Sequence, residues 1–534
     1  MSGPVIAQLE RINTPHVEWS LLAPELILIG GAMALLVAGT FRRDRTMSTA
    51  SCIFTVTVAL AALVASWGLW QDVGGNEGDP RLAVADAVVV DGYGIFFTVV
   101  ICIAVALGAL LAHGYLRQEK LEAPTFYVLM MLSASGGVIM AKANDLILIF
   151  LGLEVLSIAL YVLAGYHQRR EESREAAIKY FVLGSFSSAF FLYGVALTYG
   201  ATGSTNLAFI AEFLRTQTIT GGVLLGGFAL LLVGLGFKVA AVPFHMWTPD
   251  VYQGSPTPVT GFMAAAAKAA GFAALLRIFF SAFGTEQLDW QPIVWALAVL
   301  SMVVGSVLAV VQSDVKRMLA YSSISHAGFI LIGLQAANDR GIAGSLFYLL
   351  AYTFLILGSF ATVAIVSRRG DTRTGLDAYR GLARDRPGLA FAFTVFLLAQ
   401  AGVPFTSGFL AKFYVISAAV EAHSYAIAII AMLASVVAAF FYLRLIVVMY
   451  MGEDQVLAGV GPETSTAGVG PETATGDGAA TSGDGGVLTA VTTRVEIPVA
   501  AALAIGLCLA FTIGAGLLPQ PVIDFARHAT VLRL

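Results

Sequence analysis

The amino-acid sequence predicts an all-α polytopic membrane protein of about fourteen transmembrane helices, with two inverted five-helix repeats that each contain a broken helix. Three observations lead there: long apolar runs, basic residues that alternate between loops, and a Val-Pro-Phe motif that occurs twice. Of 534 residues, 58% are hydrophobic and 12% are charged, against about 25% charged in an ordinary soluble domain.

Apolar runs of about 20 residues are long enough to cross the hydrocarbon core of a bilayer. They lie near 21–41, 49–70, 90–116, 124–141, 145–166, 175–200, 221–247, 257–282, 291–311, 318–337, 341–367, 387–422, 424–451 and 495–518. The loops between them test this count. Alternate loops at 42–48, 117–123, 167–174, 248–256, 312–317, 368–386 and 452–494 hold 17 of the 30 Lys and Arg residues, while the opposite side with both termini holds 7. The positive-inside tendency makes the first side cytoplasmic and places both termini outside. The N-terminus lacks a basic region followed by a small-residue cleavage site, so no removable signal peptide is expected.

Ala240-Ala241-Val242-Pro243-Phe244 returns as Ala401-Gly402-Val403-Pro404-Phe405, 161 residues and five spans later. An odd number of spans inverts the second copy, and proline breaks a helix at depth. Inverted repeats with broken helices are a transporter architecture, with the path expected where the breaks meet. The expected organisation is three N-terminal helices in 1–123, a first repeat in 124–282 broken near Pro243, and a second in 291–451 broken near Pro404. A cytoplasmic loop at 452–494 and a C-terminal helix with its tail at 495–534 complete the chain. Residues 205–217 have helical amphipathic spacing and suit the outer surface. The loop repeats Val-Gly-Pro-Glu-Thr amid Gly, Ala, Thr and Asp, a composition expected to be disordered.

Composition also excludes chemistry. Cys52, Cys102 and Cys508 stand alone in apolar runs, so this chain has no thiolate set for an iron–sulfur or zinc site. There is no P-loop, and the Gly-x-Gly spacings fall in apolar helix rather than after a strand. A net charge of −4 with no basic patch gives no footprint for nucleic acid.

What remains is a set of ionisable residues inside spans, each costing about 2.5–3.5 kcal/mol on insertion scales and therefore a functional candidate. Glu154 follows Asp145 by nine residues, roughly 13 Å of helix into the bilayer. Lys179, in the next antiparallel span, is the expected partner of Glu154, either as a coupling pair or as a structural ion pair. Lys238 precedes the Pro243 break, and His245 follows it as a relay or as a partner for orphaned carbonyls. Lys268 sits among small residues and needs a partner from another span. Arg277 is expected to reach the interface. His326, with Ser322, Ser323 and Ser325 around it, suits bridging or helix–helix hydrogen bonding. Lys412 follows the second break, at a half-helix N-terminus where a cation is disfavoured. Trp247, Asp250 and Tyr252 are expected in a cytoplasmic cap, and Arg444 at the interface. Four lysines and a glutamate over five spans fit proton transfer along side chains and ordered water.

PFHMWTPDVYQGSPTPVTGFMAAAAKAAGF (243–272), LEVLSIALYVL around Glu154, DVKRMLAYSSISHAGFI and AGVPFTSGFLAKFYV together resemble the antiporter-like membrane subunits of the proton-pumping NADH–quinone oxidoreductase, respiratory complex I. The resemblance covers roughly residues 90–450; the 453–490 insertion departs from it. Lysine at 412, and no long lateral C-terminal helix, point within that family to the member nearest the quinone-reducing arm. The resemblance implies a coupling pair in Glu154 and Lys179, a proton-holding Lys238, a connecting axis through Lys268 and His326, and an exit-side Lys412. It also implies that no cofactor is bound here, with FMN, iron–sulfur clusters, NADH and quinone in partner subunits. The implied neighbours are another antiporter-like subunit, the small quinone-proximal membrane subunits and the lipid of a bacterial plasma membrane. A cation/proton antiporter subunit uses the same lysines, and a purely structural subunit is the third alternative.

Overall fold

The computed structural model describes residues 17–41, 47–73, 80–217, 222–367, 369–451 and 497–530. The expected 452–494 loop lies wholly outside the described residues. Among the described residues, thirteen helices are long and apolar enough to cross a membrane.

The chain opens with α1 (Ala23–Phe41) and α2 (Met47–Val73), then a hairpin of two three-residue strands, β1 (Arg81–Ala83) and β2 (Val88–Val90). This small departure from an all-α chain joins α2 to α3 (Gly92–Glu119). Asp91 starts α3 by accepting a hydrogen bond from Gly94 N at 2.7 Å, which satisfies one of the orphaned first-turn donors. Next come α4 (Ala123–Lys142), α5 (Leu146–Ala164), α6 (Glu171–Thr202) and the short α7 (Leu207–Thr216). The amphipathic spacing expected at 205–217 is realised in α7, which buries Leu207, Ile210 and Leu214. The α4–α5 contact is very close: a Cβ on Gly136 would sit 2.5 Å from Leu156 N. Small residues permit such approach between membrane helices, and here they fix the helix that carries Glu154.

The seventh expected span is broken. Helix α8 (Gly222–Val239) stops, residues 240–246 turn, and α9 (Trp247–Gly254) follows. The 257–282 span is helical throughout but not uniformly α: α10 (Thr257–Phe262), a π turn over Met263–Ala267, α11 (Lys268–Arg277) and a second π turn over Ile278–Ala282. It is buried along nearly its whole length, with only Phe280 and Ser281 partly exposed. Helices α12 (Gln287–Val310), α13 (Val315–Ala336) and α14 (Asp339–Val366) follow, and α13 and α14 are almost as buried.

The twelfth expected span, too long for one crossing, is resolved by a break. A short α15 (Leu382–Asp385) leads to α16 (Pro387–Ala401), and five residues separate it from α17 (Ser407–Glu421). Gly402, with φ +95°, makes the left-handed turn that ends α16 and that side chains resist. Helices α18 (Tyr425–Tyr450), α19 (Val499–Leu517) and the amphipathic α20 (Gln520–His528) complete the described chain. Peripheral helices present large apolar residues outward, among them Val64 and Trp67 on α2, Phe186 on α6 and Val436 on α18. Such a surface suits lipid or neighbouring membrane subunits.

Candidate functional site

The last turn of α8 aims Lys238 inward. Its Nζ donates to Ser157 Oγ at 2.8 Å and to the Tyr180 hydroxyl at 3.1 Å, and the residue is 5% exposed. Tyr180 is held by stacking on Trp247, with centroids 4.6 Å apart, and by an edge contact with Tyr161. Ser157 lies three residues beyond Glu154 on α5, so the two share a helix face one turn apart. Glu154 is half-buried, with its Oε1 enclosed and without a hydrogen-bond partner. Glu154 thus stands about one helical turn from Ser157, which contacts the Lys238 ammonium.

Lys179 does not join this group. Its Nζ lies 2.7 Å from Glu175 Oε1 and 2.7 Å from Asp250 Oδ2, with the side chain 40% exposed. The expected Glu154–Lys179 ion pair is absent, for a rotational reason: consecutive residues of a helix point about 100° apart. Tyr180 turns into the core, so Lys179 turns out toward Asp250 on α9. Arg317 Nη1 meets the other oxygen of Asp250 at 2.7 Å. Of the expected cap, Asp250 is half-exposed, whereas Trp247 and Tyr252 are buried.

Lys268 follows directly on the first π turn, a feature that often marks functional sites. Its Nζ donates to both the carbonyl oxygen and the hydroxyl of Ser323, each at 2.6 Å, and lies 5.6 Å from the Tyr352 ring centroid. Its partners are neutral, and it is 2% exposed. The Lys238 stem packs on α11 beside it, since a Cβ on Gly271 would lie 3.3 Å from Lys238 Cγ. One turn beyond Ser323, His326 Nδ1 is 2.6 Å from the Tyr348 hydroxyl and its Nε2 is 3.2 Å from that of Tyr442. Another turn along α13, Phe329 presents its ring 4.8 Å from Lys412 Nζ.

Lys412 departs from expectation. It belongs to the first turns of α17, yet its Nζ donates to the carbonyl of Ala401, the last residue of α16, at 3.0 Å. A cation at a helix C-terminus is favoured, so the reach across the break reverses the expected electrostatics.

His245 is half-buried beside the first break, with its Nδ1 enclosed and unpartnered. The breaks themselves reach the surface of the chain: Met246 is 77% and Phe405 75% exposed. The inward-facing line is instead made by the lysines that flank them.

Several polar groups were beyond sequence reasoning. Arg277, expected to snorkel, is fully buried and grips Asp91 through two hydrogen bonds at 2.8 and 2.9 Å. Lys142, assigned to a loop, is buried 2.9 Å from Glu25. Asp371, just beyond α14, receives Arg170 Nη1 at 3.0 Å, Thr257 Oγ1 at 2.7 Å and Ser367 Oγ at 3.0 Å, with Lys316 Nζ at 3.8 Å. Burial pushes the Asp371 carboxyl up, but Lys316, Arg170 and these hydrogen bonds hold it below the usual carboxylate range. Beside this knot a cleft of about 820 Å³ is lined by Lys179, Asp250, Arg317 and Glu175 among others. Among the described residues, no group of three or more His, Cys, Asp or Glu is placed to hold a metal ion.

The chain that carries these buried lysines is similar in sequence and fold to known proteins. A sequence profile described as NADH:quinone oxidoreductase/Mrp antiporter, transmembrane, matches residues 143–438. A protein of Trichlorobacter lovleyi named NADH-quinone oxidoreductase subunit N is 43% identical over 447 residues, covering 82% of this chain and 89% of its own length. The protein of the same name in Mycobacterium tuberculosis is 40% identical over 98% of this chain and 99% of its own. The chain belongs to the NADH-quinone oxidoreductase subunit N family. Among solved structures, a chain of respiratory complex I from Thermus thermophilus with bound aureothin superposes with TM-score 0.73 at 33% identity, covering 94% of this chain and 98% of that one. A chain of the Mrp complex from a Dietzia species superposes with TM-score 0.77 at 21% identity, over 96% of each, which shows a common fold. Glu154, Lys179, Lys238, His245, Lys268, His326 and Lys412 all fall within the profile match.

Proposed function

We propose that this chain is the proton-translocating membrane subunit N of an NADH–quinone oxidoreductase, coupling electron transfer in partner subunits to proton movement through its own lysine line. The observation that supports this most is the continuity of the line. Ser157, one turn from Glu154, meets Lys238; Lys238 packs beside Lys268; Lys268 holds Ser323; His326 and Phe329 lead along α13 to Lys412.

In this reading Glu154 receives the electrostatic input and acts on Lys238 directly, with Ser157 and Tyr180 solvating the ammonium. Lys179, with Asp250 and Arg317, sits at the edge of the cleft and delivers or withdraws charge there. Lys268 and His326 pass the proton on, and Lys412 holds it at the exit side. His245 relays or fills orphaned carbonyls at the first break. Lysine suits the task because its protonated form is costly when buried, so modest changes in nearby charge shift its proton affinity. Moving one charge across the whole membrane opposes about 2.3 kcal/mol per 100 mV, a scale that a short-range charge rearrangement in a poorly screened interior reaches.

FMN, iron–sulfur clusters, NADH and quinone belong in this reading to partner subunits. The neighbours are another antiporter-like subunit and the small quinone-proximal membrane subunits, in a bacterial plasma membrane with both termini outside. The two halves around the breaks act as inverted repeats. The test uses membrane vesicles with the assembled complex carrying Lys238→Ala. Loss of NADH-driven proton uptake together with quinone reduction is expected, and wild-type rates of both would remove Lys238 from the path. A cation/proton antiporter subunit is the second reading, favoured by the fold shared with the Mrp chain; proton movement driven by an imposed sodium or potassium gradient without NADH would select it.

A further inference from the structure

Tyr442 on α18 had no role in the sequence reading, yet its hydroxyl is the meeting point of three helices. It lies 3.2 Å from His326 Nε2 on α13, 3.4 Å from Gln400 Oε1 on α16, and in a hydrogen bond with Ser322 Oγ. The residue is buried. Gln400 is fully buried and its amide group is committed elsewhere, with Nε2 donating to Ser359 Oγ at 2.8 Å and to Phe396 O at 3.4 Å. Its oxygen is therefore turned to Tyr442 and only accepts. The next residue is Ala401, whose carbonyl holds Lys412.

A phenol hydroxyl has one proton to give and lone pairs to accept with. With Ser322 in the donor role toward the phenol oxygen, the imidazole and Gln400 compete for the Tyr442 proton when Nε2 of His326 is bare. When Nε2 carries a proton, it donates to the phenol oxygen, and the Tyr442 proton is released to Gln400. The exchange is a rotation about the C–O bond; no covalent bond forms or breaks and the tyrosine stays neutral.

We infer that Tyr442 is a hydrogen-bond switch that reports the presence of a proton on His326 Nε2 to the Gln400–Ala401 end of α16, and through it to Lys412. Tyr442 and Gln400 are positioning residues in this scheme, acting through His326 and Lys412. The inference rests on the proton-path reading above.

The test compares Tyr442→Phe, Gln400→Leu, the double variant and Lys238→Ala, with all rates normalised to assembled complex in vesicles. Each single variant is expected to lower NADH-driven proton uptake at least twofold, and the double variant is expected to be no slower than the worse single, because both changes cut one link. A purely structural role lowers the amount of assembled complex and leaves the normalised rate unchanged. If Tyr442→Phe disrupts assembly, Gln400→Leu alone decides by the same criterion. Wild-type normalised uptake in either single, or losses that multiply in the double, overturns the switch while Lys238→Ala still abolishes uptake. Wild-type uptake in Lys238→Ala as well overturns the proton-path reading itself.

Discussion

Lys412 Nζ donates to the carbonyl oxygen of Ala401 at 3.0 Å, so a residue at the start of one half-helix closes the end of the other. The contact serves two ends at once. It places a cation against the negative end of α16, worth about 0.3–1 kcal/mol and up to ~2 kcal/mol in partly buried settings, and it keeps a titratable group at the break. Lys412→Met is expected to lower the melting temperature of the purified complex modestly and to reduce proton uptake severalfold. Unchanged uptake in an assembled Lys412→Met complex would show that the lysine only braces the break.

How much of this was legible is decided by which information is local. Span positions follow from apolar run length, and Lys238, Lys268 and Lys412 draw notice because charge in a bilayer is costly. Rotational phase is not local. Lys179 and Tyr180 are neighbours in sequence, and only packing against Trp247 decides that the tyrosine faces the core. Nor are distant partners local: Asp91 and Arg277 are 186 residues apart, and Asp371 lies 114 residues from Thr257. The π turn before Lys268 is invisible in a run of alanines, whose helix propensity gives no reason to widen a turn. The two Val-Pro-Phe motifs did mark the breaks, although not that their loops reach the surface.

The Asp91–Arg277 pair is a brace remote from the lysine line. Arg277 is fully buried, hydrogen-bonded also to Ala141 O at 2.9 Å, and its guanidinium lies over the Tyr93 ring. Removing one partner of such a pair strands a buried charge, at a cost of about 3–5 kcal/mol. Arg277→Met is therefore expected to lower thermal stability sharply, while complexes that do assemble keep the wild-type number of protons moved per NADH. A lowered ratio would place this pair in the path instead.

The Asp371 knot makes a pH prediction with a definite sign. Its carboxyl is held below the usual range chiefly by Lys316 against the opposing effect of burial. A depressed carboxylate stabilises the fold fully above its unfolded pKa, about 3.9, and that contribution is lost as pH falls through the lower folded value. Wild-type melting temperature should thus drop as the buffer passes below about pH 4, and Asp371→Asn, already lacking the charge, should show a smaller acid dependence from a lower starting stability. Parallel curves for the two proteins would mean that another carboxylate dominates the acid response.

The corrected partner of Lys179 leads to the remaining prediction. With Lys179 held by Glu175 and Asp250, and Glu154 set one turn from the Lys238 contact at Ser157, the two residues at first expected to pair belong to different groups. Changes at independent sites add within about 0.3–0.5 kcal/mol, whereas partners show coupling of 0.5–3 kcal/mol. Quinone reduction driven by NADH, measured in Glu154→Gln, Lys179→Ala and the double variant, should give activation free-energy changes that sum. The cycle of Lys179→Ala with Asp250→Asn should not sum, because each single change already breaks their 2.7 Å contact. Strong coupling between Glu154 and Lys179 would instead mean that the working complex rotates Lys179 inward during turnover, with its outward pairing to Asp250 as the resting position.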